Sequence, residues 1–168
     1  MNNNVRFSFK PVEKIHHQLI LEWIAQDYIH EWLHGDGLKN TIDDLEQFVQ
    51  GGKPWATHWM AYDNQVPFAY LITSEIVQST EHPQKAITLD LFICRLDYIG
   101  KGLAVQMIRE FLLSQYFNVD EVHIDPEIRN ARAIHVYKKA GFKIVGEFIA
   151  SWHPVPHYQM RLNMGELV

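Results

Sequence analysis

The sequence predicts an α+β domain built on a mixed sheet with helices packed on its faces. Three observations carry this. Short runs with apolar residues at every second position, such as Val5, Phe7 and Phe9, have the period of a half-buried strand. The run 101–115 instead gathers Leu103, Met107, Ile108, Phe111 and Leu112 on one helical stripe. The two kinds of run follow one another as strand, helices, hairpin, strand, helix, strand, helix, hairpin, which interleaves helices with a sheet. At 168 residues the chain is expected to form a single domain over 1–168. Such a domain buries roughly 70% of the surface its unfolded chain exposes.

In chain order, the first strand is read around Val5, Phe7 and Phe9. Ile20, Leu21, Ile24 and Ile29 predict a helix within 15–33, ending near Gly35-Asp36-Gly37. A second helix is predicted over 41–50, with Thr41 as its cap and Asp43-Asp44 suited to its positive first turn. Residues 57–63 and 66–73 predict a hairpin around Asp63-Asn64. From Ala86 to Ile93 a strand places Ile87, Leu89, Leu91 and Ile93 on one face. Ala86, Thr88, Asp90 and Phe92 fall on the other. The helix over 101–115 follows, then a short strand over 121–125. A helix over 130–139 stops at Gly141, a C-cap. Residues 142–149 and 156–163 predict the last hairpin. No internal repeat, low-complexity segment or long linker divides the chain.

Composition narrows the class. Hydrophobic residues at 47% and charged residues at 21% are ordinary for a globular chain. No apolar run approaches the roughly 20 residues of a membrane span. The first 15 residues hold Arg6, Lys10, Glu13 and Lys14 and no apolar signal core. Cys94 is the single cysteine, which excludes an internal disulfide. A cytoplasmic monomer or homodimer without a membrane partner is the expectation. Charge is uneven. Residues 1–84 carry five Lys/Arg against eleven Asp/Glu, a balance of −6, whereas residues 85–168 carry ten against nine, a balance of +1. An acidic excess argues against a nucleic-acid partner and suits a cationic one. Solvated surface carboxylates explain the same numbers equally well.

Two pieces of sequence carry the most chemistry. Gly100-Lys101-Gly102-Leu103-Ala104 puts two glycines between a strand and a helix. Such a turn frees backbone N–H groups at a helix N-terminus, where a phosphate binds well. It is no P-loop, since the earlier spaced glycine and the Ser/Thr after the lysine are missing. It is no dinucleotide fingerprint, since Val105 stands where the third glycine belongs. On its own it also reads as a plain tight turn. The second piece is Asn130-Ala131-Arg132-Ala133-Ile134-His135-Val136-Tyr137-Lys138-Lys139-Ala140-Gly141-Phe142, beginning 26 residues after Ala104. Asn130 caps this helix, and Tyr137 lies two turns further along the same face.

In this order and spacing the two pieces resemble the coenzyme A half of the GCN5-related N-acetyltransferase (GNAT) superfamily. The resemblance implies a mixed, mostly antiparallel sheet flanked by helices, with a phosphate-binding strand–turn–helix. It implies acetyl-coenzyme A as co-substrate, its pyrophosphate wrapped by Gly100, Lys101, Gly102, Leu103 and Ala104. Asn130 would touch the pantetheine or phosphate region, and Lys138 would offer a cation. Tyr137 would sit near the sulfur, where a phenol of ordinary pKa near 10 can donate a proton. A backbone N–H near Ile93 would polarise the thioester carbonyl. The family pattern opens with Gln or Arg where this chain has Asp97, so that side chain is expected to point away from the phosphates.

Asp90 and Asp125 concern the acceptor. Asp90 interrupts an apolar strand, and Asp125 ends the next one, before Pro126. A carboxylate in a half-buried strand is costly unless paired. Neighbouring strands would bring both acids to one edge, where they bind an ammonium group and accept its proton. A purely structural role is the plain alternative. The pair resembles the acids of aminoglycoside 6′-N-acetyltransferases, which share an aromatic-acidic segment like Tyr28-Ile29-His30-Glu31-Trp32. That likeness implies Trp32, Asp90 and Asp125 as acceptor-binding residues and an aminoglycoside as the cationic small-molecule amine. A siderophore-type lysine or hydroxylysine N-acyltransferase is the runner-up, then a coenzyme A-binding module without turnover.

His30-Glu31-Trp32-Leu33-His34 spells the HExxH pattern of zinc peptidases. The third ligand position is Asn40, Gly35-Asp36-Gly37 ends the run, and only 29 residues precede it. A zinc hydrolase is therefore set aside and no metal is expected. His16-His17, His153 and His157 read as surface or loop residues, while His123 shares the Asp125 side. Cys94 as an acyl carrier is disfavoured, with inverted facing and no histidine partner.

Overall fold

Alternating apolar residues produce seven strands in a computed structural model that describes residues 4–167. They are β1 (Phe7–Pro11), β2 (Thr57–Asp63), β3 (Val66–Ile76), β4 (Ala86–Ile93), β5 (Glu121–Ile124), β6 (Lys143–Ile149) and β7 (Pro156–Asn163). One sheet holds them in the order β1-β2-β3-β4-β5-β7-β6. All neighbours run antiparallel except β4 and β5. Five helices flank the sheet: α1 (His17–Ile24), α2 (Asp27–His30), α3 (Gly35–Val49), α4 (Leu103–Gln115) and α5 (Ala131–Ala140). The expected α+β class and mostly antiparallel sheet are what the structure contains.

Strand alternation sends side chains to two separate cores. Ile87 and Leu89 of β4 pack with Met107, Ile108, Phe111 and Leu112 of α4 and with Val122 and Ile124 of β5. Across the sheet, Tyr70 and Phe92 pack with Ile20, Trp23, Ile24 and Leu45 of α1 and α3. Burying an apolar side chain of this size stabilises the fold by roughly 1.5–3 kcal/mol.

The helices before β2 differ from expectation. The predicted helix over 15–33 is broken into a 3-10 turn over Lys14–His16, then α1, then the one-turn α2. Gln26 takes an extended conformation between α1 and α2, and its amide donates to the carbonyls of Trp23 and Cys94. The end of β4 therefore sets the break. Gly35-Asp36-Gly37 does not terminate a helix but opens α3. Gly35 has φ +56, a left-handed turn that glycine adopts without steric cost, and it redirects the chain after His34. Thr41 consequently lies inside α3, its hydroxyl donating to the Gly37 carbonyl at 2.8 Å. Asp43 and Asp44 also move to mid-helix. Asp44 reaches across to buried His58 of β2 at 2.6 Å, and His58 in turn meets the Tyr70 hydroxyl. This chain of polar groups fastens α3 to the sheet.

Candidate active site

The parallel pair β4–β5 is short. Its register covers Ala86↔Glu121, Ile87↔Val122 and Thr88↔His123. Beyond it β4 runs on to Ile93, while β5 ends at Ile124 and the chain turns at Asp125-Pro126. Pairing geometry orients the free edge. The Cys94 N–H donates to the Phe68 carbonyl at 2.7 Å, on the β3 side. Consecutive residues of a strand turn their backbone groups to opposite edges, so the Ile93 N–H faces the gap left by β5. The Ile93 carbonyl accepts from the Tyr28 hydroxyl there at 3.2 Å. A cleft of about 1460 Å³ occupies this opening. It exceeds the roughly 300–1,000 Å³ that hold one drug-sized ligand, so two substrates fit side by side.

At one end of the cleft lies the glycine turn. Gly100 and Gly102 have φ +77 and +72, and Gly102 is the N-cap of α4. No atom lies within 4 Å of where a Cβ would stand on either residue, so the backbone is open to a ligand. The first N–H groups of α4 have no intrahelical partner and aim a positive dipole end outward. Gly100, Gly102, Leu103, Ala104, Asn130 and Tyr137 all line the cleft. Lys101 and Lys138 are exposed and lie outside its walls, whereas Arg132 and Lys139 of α5 face it. Asp97 turns away into an ion pair with Arg95 at 3.1 Å, which holds its carboxyl below the usual range. Asn130 caps α5 through the Ala133 N–H at 3.3 Å.

Acids occupy the other end. Asp90 stands on the Phe92 face of β4, opposite Ile72 of β3, and Asp125 follows β5. Asp90 is exposed to the cleft, yet the walls that crowd around it desolvate its carboxylate in part. That desolvation, with the charge of Asp125 added, pushes its carboxyl up to about 7. Desolvation likewise raises Asp125 to about 6. Tyr137 belongs to the core on the opposite face of the sheet and lines the same cleft. Burial, then the charges of Asp90 and Asp125, raise its phenol far above the ordinary value, so it stays protonated. The three predicted reacting groups thus line one cleft.

The rim holds residues that the sequence did not single out. Arg129 lies 4.5 Å over the Trp32 ring, 3.8 Å from Glu31 and 3.4 Å from Glu127. Glu127, Phe148 and Trp152 line the cleft, and His153 and His157 do as well. His157, read as a surface residue, is buried instead, and its Nδ1 donates to the Val155 carbonyl at 2.7 Å. The α2 segment and the β6–β7 loop meet here only in the folded chain, and no spacing in the sequence announces that. His123 lines the cleft but is engaged by Glu121 at 2.9 Å. Cys94 is buried with a raised thiol, which removes it as an acyl carrier. His30 and His34 do not sit on one helix as HExxH requires, because α2 ends at His30 and α3 begins after His34.

Comparison with known proteins agrees with this geometry. An aminoglycoside N(6′)-acetyltransferase structure from Legionella pneumophila is 66% identical, with a TM-score of 0.95 over 99% of this chain and 96% of its own. Aminoglycoside N(6′)-acetyltransferase type 1 of Klebsiella pneumoniae is 28% identical over 140 residues, 76% of this chain and 69% of that protein. The fold, at 23% identity and a TM-score of 0.77 over 95% of this chain and 96% of the other, is also that of AAC(6′)-Ib, solved with ribostamycin and coenzyme A. The family model of the acetyltransferase (GNAT) domain matches residues 13–150. A parted β4–β5 pair, a glycine turn capping α4 and a match over most of its length together place this chain in the GNAT acetyltransferase family.

Proposed function

We propose that this protein transfers the acetyl group of acetyl-coenzyme A to a primary amine of an aminoglycoside, at the 6′ position, by direct attack. The observation that carries this reading is the convergence of Asp90, Asp125 and Tyr137 on one cleft where β4 and β5 part. The 66% identity to the Legionella aminoglycoside N(6′)-acetyltransferase supports the same acceptor. Cation-seeking groups line the acceptor end, with Glu31 and Glu127 at the rim above Asp90 and Asp125. Arg132 and Lys139 suit the phosphate end.

In the reaction the pyrophosphate lies on the amides of residues 100–104, and the pantetheine enters the gap past Asn130. The thioester carbonyl accepts a hydrogen bond from the Ile93 N–H. Asp90, directly or through a water, takes a proton from the ammonium group, and Asp125 holds a second ammonium of the acceptor. The freed amine attacks the carbonyl carbon, forming the C–N bond as the C–S bond breaks; the surplus proton on nitrogen passes through cleft water to the thiolate, which leaves as the coenzyme A thiol. Tyr137 donates a hydrogen bond to the departing sulfur. A phenol raised above 10 transfers its proton only uphill to a thiolate of ordinary pKa near 8.5. Its main contribution is therefore to lower the charge on sulfur in the transition state. We place the reaction in the cytoplasm, where Cys94 remains a reduced thiol.

Thiol release from acetyl-coenzyme A across an amine panel tests the assignment. Aminoglycosides with a 6′-amine should be turned over with a higher kcat/KM than polyamines, lysine or hydroxylysine. Preference for a lysine-type amine would favour the siderophore-type reading, and release with no amine would leave a coenzyme A-binding protein.

A further inference from the structure

His34, Glu127 and His153 come from three separate parts of the chain: the start of α3, the segment after β5 and the β6–β7 loop. One ligand atom of each lies within 4.8 Å of the others. The His34 and His153 rings are 4.6 Å apart and nearly perpendicular, and His153 Nε2 is 3.7 Å from Glu127 Oε1. Glu127 is only 8% exposed. The one hydrogen bond its carboxylate accepts among the described residues is a long one, 3.4 Å from Arg129 Nε. A buried carboxylate so thinly satisfied is poised for a stronger partner. Two imidazoles and a carboxylate are a donor set for zinc and similar divalent ions. Ligand atoms of a tetrahedral zinc site stand roughly 3.3 Å apart. The Glu127–His153 pair is already near that spacing, and small rotations of two half-exposed histidines close the remainder.

We propose that His34, Glu127 and His153 bind a divalent transition-metal ion such as zinc, which ties the β6–β7 loop to the start of α3 across the mouth of the cleft. The loop is already seated for this. Trp152 Cδ1 lies 3.4 Å from where a Cβ on Gly37 would stand, an ordinary van der Waals distance, so the loop packs against the first turn of α3. The second histidine of the HExxH string is thus used, but with partners distant in sequence and without His30. A metal here occupies the rim carboxylate that would otherwise meet a cationic acceptor. Zinc is therefore expected to raise the acceptor KM and leave the acetyl-coenzyme A KM unchanged, a consequence that rests on the acetyltransferase reading.

The test is equilibrium zinc titration of the untagged full chain against a chromogenic chelator, with no substrate present. One site is expected, weakened at least about tenfold in both His34→Gln and His153→Gln. Circular dichroism melting verifies that each variant is folded; where one is not, cobalt absorption of the unmodified protein gives the second measurement. A tetrahedral cobalt spectrum with nitrogen and oxygen ligands is expected. A second cluster, His82, Glu121 and His123, lies on and beside β5, so His82→Ala is the control. Unchanged affinity in both glutamine variants, loss of the site in His82→Ala, or octahedral cobalt alone would overturn the proposal. Because binding is read without turnover, its failure is separable from failure of the acetyltransferase reading, which the amine panel decides.

Discussion

In the proposed reaction Asp90 is one carboxylate with two demands on it: to attract an ammonium group and then to accept its proton. Its raised pKa matches the second demand, since a base near 7 works best at neutral pH. Asp90→Asn is expected to lower kcat by at least about 100-fold, the scale of general-base catalysis, with coenzyme A affinity unchanged by calorimetry. In the unmodified protein, kcat/KM should fall as pH drops through about 7, because the protonated acid neither attracts nor deprotonates the amine. Stability carries the opposite sign. A carboxyl whose folded-state pKa is raised binds its proton more tightly when folded, so stability is lost as pH rises from the unfolded value near 4 toward 7. Asp90→Asn should therefore melt a few degrees higher than the unmodified protein at pH 8, a difference that vanishes near pH 4. Tyr137→Phe should reduce kcat about tenfold with little change in the acetyl-coenzyme A KM, since it removes a transition-state hydrogen bond and almost no contact area. Equal kcat in a single-turnover measurement would reduce Tyr137 to a packing residue.

At the scale of elements, the turn before α4 and the parting of β4 from β5 do the positioning. Gly102 adopts φ +72, which costs an L-residue roughly 1–2 kcal/mol, and its α-carbon faces open space that a phosphate needs. Gly102→Val should weaken coenzyme A binding at least about tenfold by calorimetry. Gly102→Ala should fall between, since it strains the turn yet blocks less of the approach. Unchanged affinity in a folded Gly102→Val protein would remove the phosphate-loop assignment. Both glycines and the α5 cap Asn130 were legible in the sequence, because local backbone geometry is set by nearest neighbours. The direction of Asp97 was inferred there only from repulsion; its ion pair with Arg95 supplies the partner. The α1–α2 break and the start of α3 were not legible. They answer to contacts of Gln26 with the end of β4 and to a left-handed Gly35.

At the scale of the molecule, charge is uneven. The first half carries the acidic excess and brings Glu31 to the cleft wall beside Glu127, while α5 brings Arg132 and Lys139 to it. With a polycationic aminoglycoside, kcat/KM should decline several-fold as salt is raised toward about 0.2 M, because screening at 0.1 M confines the field to about 10 Å. A neutral amine should show no such decline, and an aminoglycoside rate independent of salt would deny the field any part in capture. The sequence by itself determined the α+β class, the strands β2 to β7, the glycine turn with its helix, and the candidate acids and tyrosine. Each of those follows from period, turn chemistry or the cost of a lone carboxylate in an apolar strand. Only the tertiary structure decided that Tyr137 and the acids line one cleft where β4 and β5 part, since pairing ends at Thr88 and His123. It alone decided that Glu127, His34 and His153 meet at the rim, because residues so distant in the chain become neighbours only when α3 and the β6–β7 loop close on the same cleft.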